Sequence, residues 1–175
     1  MISALCHDFG KAAVTETGDD GIVHAYGHEE AGIPLVSAFL SRLSAGKELT
    51  GYVLNMTRLH MEPNIMANAG SKIKSTNRLF EKSVAPYDLI QLSVCDGLGK
   101  IPVSESNEEF LLKRFDAFNE IMSRPYVDAD DLINAGLKDS ICFDDILSHA
   151  HKLRLAGIKK DNAMIQTLAY ARKMK

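Results

Sequence analysis

Near the start of the chain His7 and Asp8 stand side by side, at the end of the apolar run Met1-Ile-Ser-Ala-Leu-Cys. Imidazole and carboxylate suit Mn, Fe, Ni, Zn or Mg, and a divalent ion held by them does Lewis-acid work on a phosphoryl oxygen. Neighbours on a helix project about 100° apart, so the pair can share only an ion lying across the helix, and further ligands must come from other helices. The candidates are His28 at the start of one expected helix, His60 at the end of another and Asp96 near the end of a third. All three adjoin turn signals, and helix ends cluster easily at one pole of a bundle. Asp8 is a candidate for both metal binding and catalysis. Lys11 either neutralises a substrate phosphate or complements the dipole at a helix C-terminus. His24, His149 and His151 are read as surface residues.

The elements that must hold these side chains are helical. The first eight residues begin without a capping residue and read as the middle of a helix, which Phe9-Gly10-Lys11 ends, glycine supplying a left-handed C-terminal conformation. A turn-rich loop covers residues 15–27. From His28, Ala31, Leu35, Ala38, Phe39 and Leu43 recur at helical spacing and predict a core-facing stripe, with Pro34 kinking the helix or delaying its start. Further helices are expected over residues 49–60, stopped by Pro63, then over 71–82, and over 86–96 with Gly97 and Gly99 closing it. A long helix over 105–122 ends at Arg124-Pro125, the expected domain boundary. Beyond it lie helices over 128–135, 143–155 and 161–174, the last capped by Asp161. No segment shows strand alternation, so the expected fold class is all-α.

With 46% hydrophobic and 25% charged residues over 175 positions, the chain can bury a core as one domain, or as one domain with a small appendage. No run approaches the roughly 20 apolar residues of a membrane span, and no signal peptide is evident, so a cytoplasmic protein without a membrane partner is expected. Cys6, Cys95 and Cys142 are widely spaced and read as buried structural thiols. Net charge is −3, but residues 151–175 alone carry +6, leaving −9 on the rest. An acidic body with a basic end suggests a phosphate-bearing partner. Lys152, Arg154, Lys159, Lys160, Arg172 and Lys173 are the candidate nucleic-acid contacts, the alternative being a solvated helix face.

His7-Asp8-x-Gly-Lys, then His28-x-x-x-Gly32, then a solitary Asp96 in an apolar helix closed by glycine, resembles the HD superfamily of metal-dependent phosphohydrolases. The resemblance covers roughly residues 1–122. It implies an HD-type helical bundle in which His7, Asp8 and Asp96 hold the metal. Two-metal members add histidines, and His28 and His60 stand where those belong, the alternative being capping or core histidines. The family's first ligand histidine lies on a helix upstream of the pair, where this chain has six residues. The expectation is therefore an N-terminally incomplete HD-type domain over residues 1–124, with His28 or a water filling the position.

Tyr26-Gly-His-Glu-Glu-Ala-Gly-Ile-Pro-Leu-Val and Leu89-Ile-Gln-Leu-Ser-Val-Cys-Asp-Gly-Leu-Gly look like the C-terminal half of bacterial CCA-adding tRNA nucleotidyltransferases that carry an HD domain. Residues 125–175, with Asp131-Leu-Ile-x-x-Gly-Leu and Phe143-Asp-Asp-Ile-Leu, look like the small C-terminal region of those enzymes, although Lys138-Asp139-Ser140 replaces their usual Pro-Gly turn. The nucleotidyltransferase head is absent, since Gly70-Ser71 is followed by no Asp-x-Asp, so nucleotide addition is not expected. The resemblance implies hydrolysis of a nucleotide or RNA-end phosphate, with tRNA a possible partner through the basic end. The alternative it implies is a non-catalytic tRNA-binding fragment of a CCA-adding system. Nothing in the residues specifies an oligomeric state.

Overall fold

The computed structural model describes residues 1–100, 106–137 and 142–174. Helices take up 70% of it, and among the described residues the one sheet has two strands, so the fold is all-α. None of the described helices is long and apolar enough to cross a membrane. The elements run α1 (Ile2–Cys6), α2 (Lys11–Val14), β1 (Glu16–Thr17), β2 (Val23–His24), α3 (His28–Arg42), α4 (Lys47–Leu59), α5 (Glu62–Asn68), α6 (Ile73–Lys82), α7 (Pro86–Leu98), α8 (Glu108–Ser123), α9 (Ala129–Asn134), α10 (Phe143–Leu155) and α11 (Lys160–Lys173).

The chain divides into two compact units, one of Met1–Ser71 with Leu79–Leu112 and one of Lys72–Arg78 with Lys113–Lys175. The second unit takes in residues 72–78 and 113–124 besides the tail beyond Pro125. The first unit is built around two apolar clusters, Cys6, Val36, Leu40 and Val53 in one, and Met56, Leu59, Leu79, Leu89 and Leu92 in the other. The second has its own core of Val127, Leu132, Phe143, Ile146, Ala150, Ala163 and Ala171.

Several local expectations change. α1 ends at Cys6, and Gly10 is not left-handed but takes φ −63° and ψ −23°. Glycine is required there for proximity, because an added Cβ would lie 1.9 Å from the His28 carbonyl oxygen and 2.6 Å from the Gly32 nitrogen. That contact also fixes the rotation of α3, whose buried face is His28, Gly32, Val36 and Leu40. Leu35 and Leu43 of the expected stripe are exposed, and Ala38 is too. α3 begins at His28 despite Pro34, entered through Gly27 at φ 74°, a left-handed conformation that glycine adopts without a steric penalty.

Pro63 does not end a helical region but sits in the first turn of α5, where its missing N–H costs nothing. The loop expected over 15–27 contains a short antiparallel hairpin in which Glu16 pairs with His24 and Thr17 with Val23. Asp161 is an exposed first-turn residue of α11, and Lys159 occupies the cap position. Of the thiols only Cys6 is buried, whereas Cys95 is exposed and Cys142 half-buried. The Lys138-Asp139-Ser140 departure and the expected helix start at Glu105 lie outside the described residues.

Candidate metal centre

All five expected ligands belong to the first unit and meet at the ends of its helices. His7 is the C-cap residue of α1, Asp8 follows in the turn, His28 opens α3, His60 caps α4, and Asp96 lies in the last turn of α7. Asp8 is the hub. Its Oδ2 lies 3.3 Å from His7 Nε2, and its Oδ1 lies 3.2 Å from His28 Nε2 and 3.8 Å from His60 Nε2. Asp96 Oδ1 is 3.7 Å from His7 Nε2. His60 and His28 are buried, and His7 retains 15% of its side-chain surface. One ligand atom from each of His7, Asp8 and His60 falls within 4.8 Å of the others, a span that an ion can bridge.

The hydrogen bonds at the outer edges of the rings set the chemistry at the inner edges. Each Nδ1 faces a backbone carbonyl three residues back: His7 to Ala4 at 2.9 Å, His28 to Ala25 at 2.8 Å and His60 to Thr57 at 2.7 Å. A carbonyl can only accept, so Nδ1 carries the proton and, in the neutral rings, Nε2 presents a lone pair. His28 Nε2 and His60 Nε2 then confront each other at 3.1 Å with Asp8 Oδ1 beside them. Asp8 Oδ1 is buried and has no hydrogen bond. Two imidazole nitrogens and a carboxylate oxygen this close together are donor atoms that a single cation can bridge. Backbone carbonyls that orient ligand histidines through Nδ1 are also the outer support typical of metal sites. The donor set therefore fits a borderline or hard divalent ion.

Charge on the outer oxygens is balanced by two lysines. Lys11 Nζ lies 2.5 Å from Asp8 Oδ2, and Lys100 Nζ lies 2.7 Å from Asp96 Oδ2. Lys11 begins the four-residue helix α2 instead of ending α1. Lys100 is absent from the candidates that the sequence offers. Its signal is the four-residue spacing from Asp96, hidden by taking Gly97 as the helix end when α7 continues to Leu98.

Without an ion, the Asp8 and Asp96 carboxylates beside His7 outweigh burial and push the His7 imidazole up to about 10. Burial raises the Asp8 carboxyl, but His7 and Lys11 outweigh it and hold it below the usual carboxylate range. His7 and Lys100 bring Asp96 down to about 2 against burial, while burial lowers His60. The sign for metal-free stability follows. A raised His7 contributes fully below its ordinary 6.5 and loses that contribution as pH rises to about 10. The depressed Asp96 contributes fully above its ordinary 3.8 and loses it as pH falls towards about 2. Denaturant midpoints measured in EDTA should therefore decline above pH 6.5 as His7 loses its contribution, and should also decline below pH 6.5, where the lowered His60 resists the proton that the unfolded chain takes up. Added Mn2+ should oppose the alkaline decline, since a ligand must shed its proton to bind. A flat profile in EDTA would contradict the assigned His7–carboxylate contacts.

The six expected nucleic-acid contacts, all in the second unit, divide into two groups. Arg154 donates from Nη2 to the Met122 carbonyl at 2.5 Å and lies 4.3 Å over the Tyr126 ring, so it braces its own unit. Lys160 pairs with Asp131 at 2.7 Å. Lys152, Lys159, Arg172 and Lys173 are exposed. His24, His149 and His151 are half-buried, His24 stacked on Tyr26 and His149 on Tyr170. Compared with protein-family models, with curated proteins and with solved structures, the chain matches none.

Proposed function

We propose that the first unit is an HD-type, metal-dependent phosphohydrolase module acting on a nucleotide or RNA-end phosphate. The observation that carries this reading is the buried meeting of His28 Nε2, His60 Nε2 and Asp8 Oδ1, with His7 and Asp96 completing the ring of donors. His7, Asp8, Asp96, His28 and His60 are the residues that hold Mn, Ni, Mg, Fe or Zn. A bound ion supplies Lewis acidity towards a phosphoryl oxygen and lowers the pKa of water.

The chain's own contribution is placement and charge. The three Nδ1 hydrogen bonds lock the imidazoles, and Asp8 ties three histidines to one point. Lys11 and Lys100 hold positive charge where phosphoryl oxygens arrive, stabilising negative charge that grows in the transition state. In the net reaction water oxygen bonds to phosphorus, one ester P–O bond breaks, and the departing alkoxide takes up a proton from that water. The test is hydrolysis of a 2′,3′-cyclic nucleotide with each of the five ions added. Turnover that EDTA abolishes is expected. No turnover with any ion, or turnover indifferent to EDTA, would reject the reading.

A second reading is favoured by the exposed Lys152, Lys159, Arg172 and Lys173: a non-catalytic tRNA-binding body. Deleting the segment cannot test it, because Leu155, Ala163, Thr167 and Ala171 are buried there. Alanine at all four basic positions should instead weaken tRNA binding and flatten the salt slope by roughly three to four units, at about 0.9 for each phosphate no longer neutralised. An unchanged slope in filter binding at several salt concentrations would remove these residues from the interface.

A further inference from the structure

Beside the metal centre, and sharing His28 and Lys11 with it, the first unit opens into a cavity of about 570 Å³. That volume lies within the range of small-molecule sites. Its lining has two chemistries. Lys11 and Lys100, each about half exposed, supply positive charge. The same lining holds His24 and Tyr26, the strand-end and exit residues of the hairpin, with Ile65 of α5. The Tyr26 and His24 rings stack at 4.9 Å between centroids and 15° between planes. One face of the tyrosine is thus covered and the ring held in place, while the residue as a whole is 77% exposed. An ordered aromatic plate with an open face, in a cavity that also offers two lysines, matches a ligand with an anionic group and a flat ring.

We infer that this cavity is the substrate seat, with Lys11 and Lys100 taking the phosphate and the Tyr26–His24 stack taking a planar heterocyclic ring. The inference rests on the proposed phosphohydrolase reading and adds substrate-selecting residues to it. The hairpin is then a specificity element, and Lys100 a phosphate anchor and not only a partner of Asp96. An aliphatic phosphate ester uses the lysines alone, whereas a ring-bearing one uses both parts. A free mononucleotide and the last nucleotide of an RNA share this chemistry.

The test is calorimetric titration of the purified chain with adenosine 3′-monophosphate and with glycerol 2-phosphate, each in Mn2+ and in EDTA. Tighter binding of the adenylate is expected. Tyr26→Ala should weaken the adenylate by about 10-fold, the scale of one base–aromatic stack, and leave glycerol phosphate unchanged. Tyr26→Phe should restore the preference. Lys100→Met should weaken both probes alike. Equal affinity for the two probes, an equal effect of Tyr26→Ala on both, or no adenylate binding in either condition would overturn the seat. A short RNA with a 3′-phosphate, used as competitor, separates the sources: competition as strong as the adenylate's assigns the chain end, and competition 10-fold weaker assigns the free nucleotide. Ring-dependent binding without hydrolysis by any ion would leave the seat standing and reject the phosphohydrolase reading. Metal-dependent hydrolysis with no ring preference would do the reverse.

Discussion

Asp8→Ala is expected to abolish metal-dependent hydrolysis while the chain stays folded. Among the described residues Asp8 is the one carboxylate that reaches all three histidines, through Oδ2 to His7 and through Oδ1 to His28 and His60. Its loss removes a donor and the charge that holds the remaining donors together. Removing an outer-shell partner of a metal ligand typically costs 10–100-fold, so loss of a direct ligand at the hub should cost on the order of 1,000-fold or more. The fold should survive, because Asp8 lies in a turn, is about one third exposed, and belongs to neither apolar cluster of its unit. The measurement is initial-rate hydrolysis of a 2′,3′-cyclic nucleotide alongside far-ultraviolet circular dichroism. Turnover within 10-fold of the unmodified chain would mean that Asp8 is not at the reacting centre.

Gly10→Ala is expected to be the most disruptive small substitution in the first unit. The new methyl group would meet the His28 carbonyl oxygen at 1.9 Å and the Gly32 nitrogen at 2.6 Å, both backbone atoms of α3 that cannot rotate away. Overpacking typically costs 1–3 kcal/mol, and a backbone collision belongs at about 3 kcal/mol or beyond. For a unit of this size that lowers the melting midpoint by roughly 10–20 °C. The same shift moves His28 away from Asp8, so metal affinity should fall with stability. Gly51→Ala provides the control. It lies inside α4 with nothing within 4 Å of its added methyl group, and should stabilise by about 0.5–1 kcal/mol. Thermal melts of the two variants should move in opposite directions; a Gly10→Ala midpoint equal to the unmodified chain's would show that the turn and α3 are not in contact.

The residues of the candidate centre can be picked out in the sequence because a histidine or carboxylate beside a turn signal is a local feature, and the structure places five such features at or beside helix ends. The packing between helices cannot be picked out in this way. Counting apolar residues along α3 selects Leu35 and Leu43, yet burial there follows a polar His28 and a side-chain-free Gly32. Hydrophobic periodicity cannot register a face whose position is set by backbone approach to Gly10. Pro63 misleads for a related reason: a proline that stops one helix is also suited to the first turn of the next. The close approach of His28 and His60 joins residues 32 positions apart and has no sequence signature. The same is true of Arg154, whose charge suggests a phosphate partner while its geometry braces Met122 and Tyr126.

We propose that His7, Asp8, His28, His60 and Asp96 together hold a divalent ion, and titration calorimetry of the metal-free chain tests this directly. Mn2+, Ni2+, Mg2+, Fe2+ and Zn2+ would each be titrated into the unmodified chain and into Asp8→Ala, with thermal melts on the same samples. The expected result is saturable binding of at least one ion to the unmodified chain only. At 100 times its dissociation constant that ion should add about 2.7 kcal/mol of stability. No binding by any of the five, or equal binding and equal stabilisation in Asp8→Ala, would contradict the claim.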